Sequence, residues 1–251
     1  MRNYTALTLM AGVLGAGLVG SVTQAQVAAP AEPKKSAWET TAAAGLTLTR
    51  GNSDTLLVTL SLDTQRKWEK AEALAGISGG YGKNDGTKNT EFLKGYGQYN
   101  RLFSERLYGG IRLDASYDGI ANLDYRLTLS PLLGYYLIKE ARTSLAVEAG
   151  PSAVLEKYQG QSSETYLGAR FGERFQHKLS DTTRIWQSLE YVPRVDRWAQ
   201  KYIITAEVGI EAAITKQWSL RVVGQDIRDS EPAGTNKKND LRLIAGTAYK
   251  F

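Results

Sequence analysis

The chain has 251 residues without cysteine, and its 31 basic and 26 acidic residues give a formal charge of +5. The lack of cysteine excludes a disulfide scaffold and thiol chemistry, and the mild, scattered charge does not indicate nucleic acid as a partner. After residue 25 no run of 18 apolar residues provides a transmembrane helix, so a membrane location would require a closed β-barrel.

Residues 1–25 have the organisation of a Sec-type signal peptide. Arg2 provides a positive start, Tyr4–Val22 is apolar and rich in glycine and alanine, and Ala25 is a small residue suited to cleavage. We expect removal after Ala25, with a retained membrane anchor as the alternative. Residues 26–37, with prolines and lysines among alanines, are predicted to be a flexible periplasmic lead-in.

Residues 38–251 keep one pattern, in which turn clusters separate segments that have an apolar residue at every second position. This period of two within each segment predicts strands. An even number of strands is typical of outer-membrane barrels, whose termini both lie on the periplasmic side. The twelve predicted strands are Trp38–Thr49, Thr55–Trp68, Ala71–Gly82, Thr90–Arg101, Leu107–Asp118, Asp124–Leu137, Thr143–Tyr158, Ser163–Leu179, Thr183–Val192, Gln200–Ala213, Gln217–Asp229 and Asp240–Phe251. We therefore predict an all-β, transmembrane, antiparallel up-and-down barrel.

The last predicted strand ends on an aromatic residue. Tyr249 and Phe251 lie on its apolar face, which favours the closing strand of an outer-membrane barrel over an ordinary terminal strand. We expect these two residues to form the signal that the barrel-assembly machinery recognises.

Two connections and two prolines need separate interpretation. We expect a loop at Lys83–Asn89, and the longest outward loop at Ser230–Asn239, where lysines either meet lipopolysaccharide phosphates or keep the loop solvated.

Pro131 and Pro151 lie inside strands, and a closed barrel has no free edge to accommodate a missing donor. We predict bulges there, or strand segments that extend beyond their paired region.

Period two alone does not say which face is inside, because a soluble lipocalin-like barrel alternates equally well. On Asp124–Leu137 the apolar face carries Tyr125 and Tyr135, ten residues apart. At about 3.3 Å per residue and a tilt near 40° this spans roughly 25 Å, the height of a lipid-facing band between aromatic girdles. This spacing favours an outward apolar face.

The opposite faces carry arginines and acids with very little lysine, whereas lysines cluster near the strand ends. A narrow lumen favours planar guanidinium groups paired with carboxylates, and a solvated exterior would mix in lysine. We therefore predict a lumen-lining set in which paired charges either plug the barrel or, if segregated, leave a narrow polar pore. The set is Arg112, Asp114, Arg126, Glu148, Arg170, Arg174, Arg184, Glu190, Glu207, Glu211, Arg221 and Arg242.

The sequence gives little support for a catalytic site or a metal site. His177 is the single histidine, and we expect an interfacial polar residue at the periplasmic end, although a barrel hydrolase acting on lipid or peptide is an alternative. Gly51–Asp54 offers oxygen ligands for calcium, but the same residues favour a tight hairpin turn. We predict no catalytic residue, cofactor or metal.

Several segments resemble the salt-induced outer membrane protein family, also called YdiY-like and catalogued as a domain of unknown function. They are Gly45–Thr55, Tyr99–Arg101, Leu123–Arg126, Pro131–Tyr135 and Tyr249–Phe251. The resemblance implies an outer-membrane barrel of a Gram-negative bacterium with no assigned activity. We expect a monomer surrounded by outer-membrane lipid and lipopolysaccharide, structural or passively conducting and linked to salt stress. A soluble periplasmic ligand-binding barrel is the further alternative.

Overall fold

The structure, a computed structural model, describes residues 38–49, 55–234 and 236–251. The predicted signal peptide (1–25), the lead-in (26–37) and the Gly51–Asp54 turn lie outside the described residues. Within the described residues no helix is long and apolar enough to cross a membrane.

The described segments contain twelve antiparallel strands, each paired with its sequence neighbours, and β1 pairs with β12 to close a barrel. This confirms the predicted up-and-down barrel. The strands are β1 Glu39–Thr49, β2 Thr55–Lys67, β3 Ala71–Asn84, β4 Thr87–Leu102, β5 Leu107–Asp118, β6 Leu123–Lys139, β7 Thr143–Tyr158, β8 Glu164–Lys178, β9 Thr183–Pro193, β10 Tyr202–Ala213, β11 Trp218–Asp229 and β12 Asn239–Lys250.

Two connections differ from expectation. The loop predicted at Lys83–Asn89 is instead a two-residue hairpin turn formed by Asp85 and Gly86. Both residues have positive φ (48° and 76°), so β3 extends to Asn84 and β4 begins at Thr87. Asp-Gly is the residue pair that such a turn favours. The connection between β9 and β10 contains a short 3-10 helix, Val195–Arg197, that the strand pattern does not indicate.

The prediction of bulges or unpaired strand at Pro131 and Pro151 is wrong. In the β6–β7 ladder Leu129 pairs with Ala153 and Leu133 pairs with Ala149, so the register is the same on both sides of the prolines. This register sets Pro131 opposite Pro151 within a gap in the ladder, and the register shifts of β6–β7 lie elsewhere, at Leu123/Tyr125 and Tyr136/Ile138. Because proline lacks an N–H donor, both missing donors fall within one gap, while Pro131 stays paired with β5 and Pro151 with β8.

The apolar face of the strands points out of the barrel. On β6 the side chains of Leu127, Leu129, Leu133 and Leu137 are 40–62% exposed, whereas Thr128, Ser130 and Leu132 between them are at most 7% exposed. A soluble barrel would bury the leucines. The alternation therefore presents a greasy exterior, as a hydrocarbon environment requires.

Aromatic side chains collect near both ends of this exterior. At the end where β1 begins and β12 ends, Tyr249 packs between Trp218 and Phe251 with ring centroids 5.0 Å away on each side. At the opposite end, Phe171, Tyr191, Trp198 and Tyr202 form a contiguous cluster on the outward face of β8–β10. Such girdles are typical of the two membrane interfaces.

The outward orientation can be tested with arginine substitutions on β6. Leu129 lies near the middle of the strand and Leu137 near its end, and both are exposed. We expect Leu129→Arg to lower the free energy of unfolding in phospholipid vesicles by about 2–4 kcal/mol, because a charge at the bilayer midplane lacks solvation, and Leu137→Arg by about 0–1 kcal/mol. Equal effects of the two substitutions in urea titrations would contradict this orientation.

Candidate functional site

Side chains that meet across the barrel identify its interior. Strands that are not neighbours in a closed barrel can exchange side-chain contacts only through the lumen. Arg126 on β6 reaches Asp229 on β11, five strands away, with Nη2 2.8 Å from Oδ2. Arg242 on β12 reaches Asp118 on β5, again five strands away and at 2.8 Å. The charged faces of these strands therefore line one shared interior.

Glu148 is the centre of a buried cluster in the half of the lumen nearest the chain termini. The carboxylate, on a residue 4% exposed, accepts hydrogen bonds from Arg174 at 2.7 Å, Tyr108 at 2.8 Å and Gln98 at 2.7 Å on Oε1. Arg170 donates to Oε2 at 2.8 Å. Donors from three strands, β4, β5 and β8, thus converge on one carboxylate of β7, and this Glu148 cluster fills one side of the lumen.

The packing of Tyr108 depends on a glycine across the ladder. Gly134 on β6 pairs with Tyr108 on β5, and a Cβ at position 134 would overlap the tyrosine ring. The absent side chain lets the ring lie flat against the wall, where it packs beside Tyr136 with a centroid separation of 5.3 Å. Tyr136 in turn donates a hydrogen bond to Glu72 at 2.7 Å. Close packing seals this side of the lumen.

A second cluster lies at the opposite end, around Glu156, which is 1% exposed. Arg126 Nε donates to Glu156 at 2.7 Å, and Lys201 Nζ lies 2.7 Å from the other carboxylate oxygen. Arg126 also donates to Tyr158 at 2.6 Å as well as to Asp229. This Glu156 cluster extends from the wall to the far side of the barrel and narrows the lumen a second time.

The loop above the Glu156 cluster is held by Arg194. Its guanidinium donates to Asp196 at 2.6 Å and to Glu164, and it lies 4.9 Å from the ring of Tyr166. The hydrogen bond from Arg194 holds the pKa of the Asp196 carboxyl below its usual range. The ion pair between Arg194 and Asp196 therefore persists to a lower pH than the ordinary pKa of an aspartate would allow.

A cavity of about 710 Å³ lies within the lumen. Its charged wall includes Arg112, Asp114, Arg170 and Glu190, where Arg112 pairs with Asp114 at 2.7 Å and Arg170 with Glu190 at 2.7 Å. The other wall, on β12 and β1–β3, presents small lumen-facing residues. These are Ala43, Gly45, Ser61, Gly76, Ser78 and Gly246. The cavity lies against this patch of small side chains.

The remaining predicted residues occupy the same interior. Glu211 pairs with Arg184 at 3.0 Å, and Arg221 lies 3.6 Å from Asp63 and over the ring of Trp186. Among the described residues, Glu207 accepts hydrogen bonds from two neutral donors, Trp186 at 2.7 Å and Gln225 at 2.8 Å. The predicted set is thus brought together along the lumen in several ion-pair groups rather than in one site.

Sequence reasoning missed several interior residues that the same period of two would have found. Asp118 has the parity of Arg112 on β5, and Glu156 that of Glu148 on β7. Lys94 was also missed, because lysine was expected only near strand ends. It lines the cavity and lies over the ring of Phe92 at 5.3 Å. Among the described residues it has no carboxylate within ion-pair distance.

His177 lies on the outward face near the end of β8, outside the lumen. Its Nδ1 is 2.9 Å from the hydroxyl of Thr143, and its ring stacks on Phe175. No carboxylate of the described chain hydrogen-bonds the imidazole, so nothing there orients it as a general base requires. The described residues also contain no group of three acidic, histidine or cysteine side chains able to hold a metal ion.

Comparisons with known proteins agree with this architecture. A family model described as "Protein of unknown function, DUF481" matches residues 42–251, and no curated protein sequence matches the chain. Among solved structures, a NanC porin is similar with a TM-score of 0.50 at 7% identity, over 84% of this chain and 96% of that chain. At such identity the likeness concerns the fold alone.

Two further solved structures are similar at lower scores. The translocator domain of the autotransporter NalP from Neisseria meningitidis has a TM-score of 0.46 at 15% identity, over 85% of this chain and 87% of that one. A KdgM porin has a TM-score of 0.45 at 12% identity, over 86% and 99%. At these scores neither structure carries an argument here.

The Glu148 cluster can be tested by removing its carboxylate. We expect Glu148→Ala to lower the free energy of unfolding by about 3–5 kcal/mol, because the buried Arg170 loses one of its two carboxylate partners and the half-buried Arg174 loses its ion pair. Glu148→Gln should cost less, since the amide retains an oxygen for the tyrosine and arginine donors. Urea titration of the refolded barrel measures both.

Glu105→Ala provides the control. Glu105 lies exposed in the turn before β5, so its loss should change stability by less than about 0.5 kcal/mol. A Glu148→Ala barrel as stable as this control would show that the cluster contributes little.

Proposed function

We propose a function for this chain, which belongs to the DUF481 family of proteins of unknown function: a non-catalytic outer-membrane barrel that conducts small polar solutes or ions passively. The observation that carries the proposal is the 710 Å³ cavity inside the lumen, with ion pairs on one wall and small residues on the other. A fully plugged barrel would have bulky side chains on both walls.

The charges that face the cavity determine what it would pass. Arg112 and Arg170 stand beside Asp114 and Glu190, so both signs are present at close range. Such a lining offers hydrogen bonds and charge to small hydrated solutes while repelling apolar ones. Narrowing by the Glu148 and Glu156 clusters adds a limit on size.

The proposed location is the bacterial outer membrane, supported by the exposed leucines and the two aromatic girdles. We also propose that residues 1–25 are removed and that the barrel-assembly machinery recognises Tyr249 and Phe251. The loop lysines Lys237 and Lys238 are proposed to contact lipopolysaccharide. A link to salt stress is proposed from the family resemblance alone.

The alternatives are less well supported. A barrel hydrolase would need a catalytic group near His177, which contacts a threonine hydroxyl and a phenylalanine ring. A soluble ligand-binding barrel would bury leucines such as Leu129 and Leu133, which are 45% and 62% exposed. A purely structural barrel differs only in lacking conductance, and planar-bilayer recording separates it from a pore.

Conduction along the wall of small residues can be blocked from within. Ser78 lines the cavity, and its neighbour Ile77 points outward with 51% exposure. We expect the purified wild-type barrel to give discrete steps in planar bilayers, and Ser78→Trp to lower the conductance several-fold because the indole would occupy the passage. The matched control Ile77→Trp, which adds its ring on the lipid side, should conduct as the wild type does.

Absence of steps from the wild-type barrel at every salt concentration would refute the pore and favour a structural role. Equal conductance of the two tryptophan variants would show that ions do not follow the β3 wall.

The bond between Arg126 and Asp229 is expected to restrict the passage at the end opposite the termini. Asp229→Ala removes the contact across the lumen while Arg126 keeps its ion pair with Glu156. We therefore expect a larger single-channel conductance. Asp226→Ala is the control, because it removes a carboxylate from the outward face of the same strand. A conductance unchanged by Asp229→Ala would show that the restriction lies elsewhere.

A further inference from the structure

The outward faces of β8 and β9 carry a polar pair in the middle of an apolar surface. Glu173 lies between Phe171 and Phe175 on β8, and Gln187 lies between Ile185 and Leu189 on β9. Residues directly opposite in an antiparallel ladder point to the same face. Glu173 is opposite Val147 on β7 and Leu189 on β9, which are 36% and 42% exposed, so the carboxylate faces out of the barrel.

The depth of the pair makes it costly in lipid. Glu173 precedes His177, near the end of β8, by four residues, which at about 3.3 Å per residue and a tilt near 40° is roughly 10 Å along the barrel axis. This distance places the carboxylate well inside a band of about 25 Å. Hydrocarbon supplies no hydrogen-bond partner, and an ionisable residue at membrane depth is expected to meet a polar partner and to mark a functional site.

The pair satisfies only part of its own hydrogen-bonding capacity. Gln187 Nε2 donates to Glu173 Oε2 at 3.1 Å, and within the described chain the two side chains hydrogen-bond to each other alone. One carboxylate oxygen, the second amide N–H and the amide oxygen are left for an external group. An acyl chain offers neither donor nor acceptor, so a lipid tail would leave all three unsatisfied.

An apolar groove of about 360 Å³ adjoins the pair on the same outward face. Gln187 contributes to its rim, so the polar pair and the groove form one continuous surface. Val208, directly opposite Gln187 in the β9–β10 ladder, and Leu243 project beside it at 60% and 73% exposure. The face therefore combines a recess, projecting apolar side chains and unsatisfied polar atoms.

We propose that this face of β8–β11 is a two-fold interface with a second copy of the chain in the membrane. A two-fold axis sets the same patch against itself, so Glu173 of each protomer accepts from Gln187 of the partner subunit. Each patch brings both a donor and an acceptor, and the projecting side chains of one copy fill the groove of the other. The proposal rests on membrane insertion, and it departs from the monomer that the sequence suggested.

Disulfide cross-linking tests the interface, because the native chain has no cysteine. Val208→Cys introduces a thiol beside Gln187, and Leu113→Cys introduces one on the outward face of β5, far round the barrel. We expect oxidation of membranes to yield a linked dimer from Val208→Cys and monomer from Leu113→Cys. Adding Glu173→Leu to Val208→Cys should lower the dimer yield several-fold, and Glu173→Gln should retain more of it.

Three results would overturn the interface: monomer from Val208→Cys, equal dimer from both cysteine variants, or a dimer yield that Glu173→Leu leaves unchanged. Detergent extraction and heat-modifiable mobility are measured on the same samples. A chain absent from the membrane fraction would refute the proposed location, whereas a folded membrane barrel without dimer would refute only the interface.

Discussion

Closure of the sheet is the constraint on which the rest of this molecule depends. In hydrocarbon every backbone donor and acceptor needs a partner within the protein, and the pairing of Thr41–Gly45 on β1 with Gly246–Lys250 on β12 closes the sheet. Once the sheet is closed, its two faces have different surroundings. The same strand can then expose leucine outward and hold arginine inward, so that the exterior and the lumen differ in chemistry.

The interior is filled unequally. The half formed by β4–β8 carries Tyr108, Tyr136 and Glu148, which interlock across several strands. The half formed by β12 and β1–β3 carries a patch of glycine, alanine and serine on its inner face. The wall formed by β4–β8 thus provides rigidity, and the opposite wall provides the space of the cavity. Arginine suits the rigid wall because its planar group can bond two or three partners at once, as Arg170 does with Glu148 and Glu190.

The sequence predicts the fold well for a physical reason: side chains alternate between two faces with different surroundings, which imposes a period of two, and twelve such segments were found where the structure has strands. The ends of the strands were harder to predict, because local turn chemistry determines where each strand stops. Asp85 and Gly86 form a tight hairpin where a longer loop was expected. The two prolines were misinterpreted because their accommodation depends on the register between two strands, which no local pattern contains.

The sequence pattern also predicted which side of each strand faces the lumen, but it did not predict which charged residues pair there. Which arginine meets which carboxylate depends on the order of strands around the barrel and on their stagger. Arg126 and Asp229 are 103 positions apart in the chain, and nothing around either residue points to the other. Lys94 was missed for a different reason, since a lysine inside a narrow lumen runs against the general preference for arginine there.

The shared gap at Pro131 and Pro151 makes these two positions one thermodynamic unit. Replacing either proline alone restores one N–H donor, for which the remaining proline still provides a carbonyl acceptor, and the second donor returns only when both are replaced. Because the two residues face each other, their substitutions should show non-additive effects on unfolding, with coupling of about 0.5–3 kcal/mol as for residues in contact.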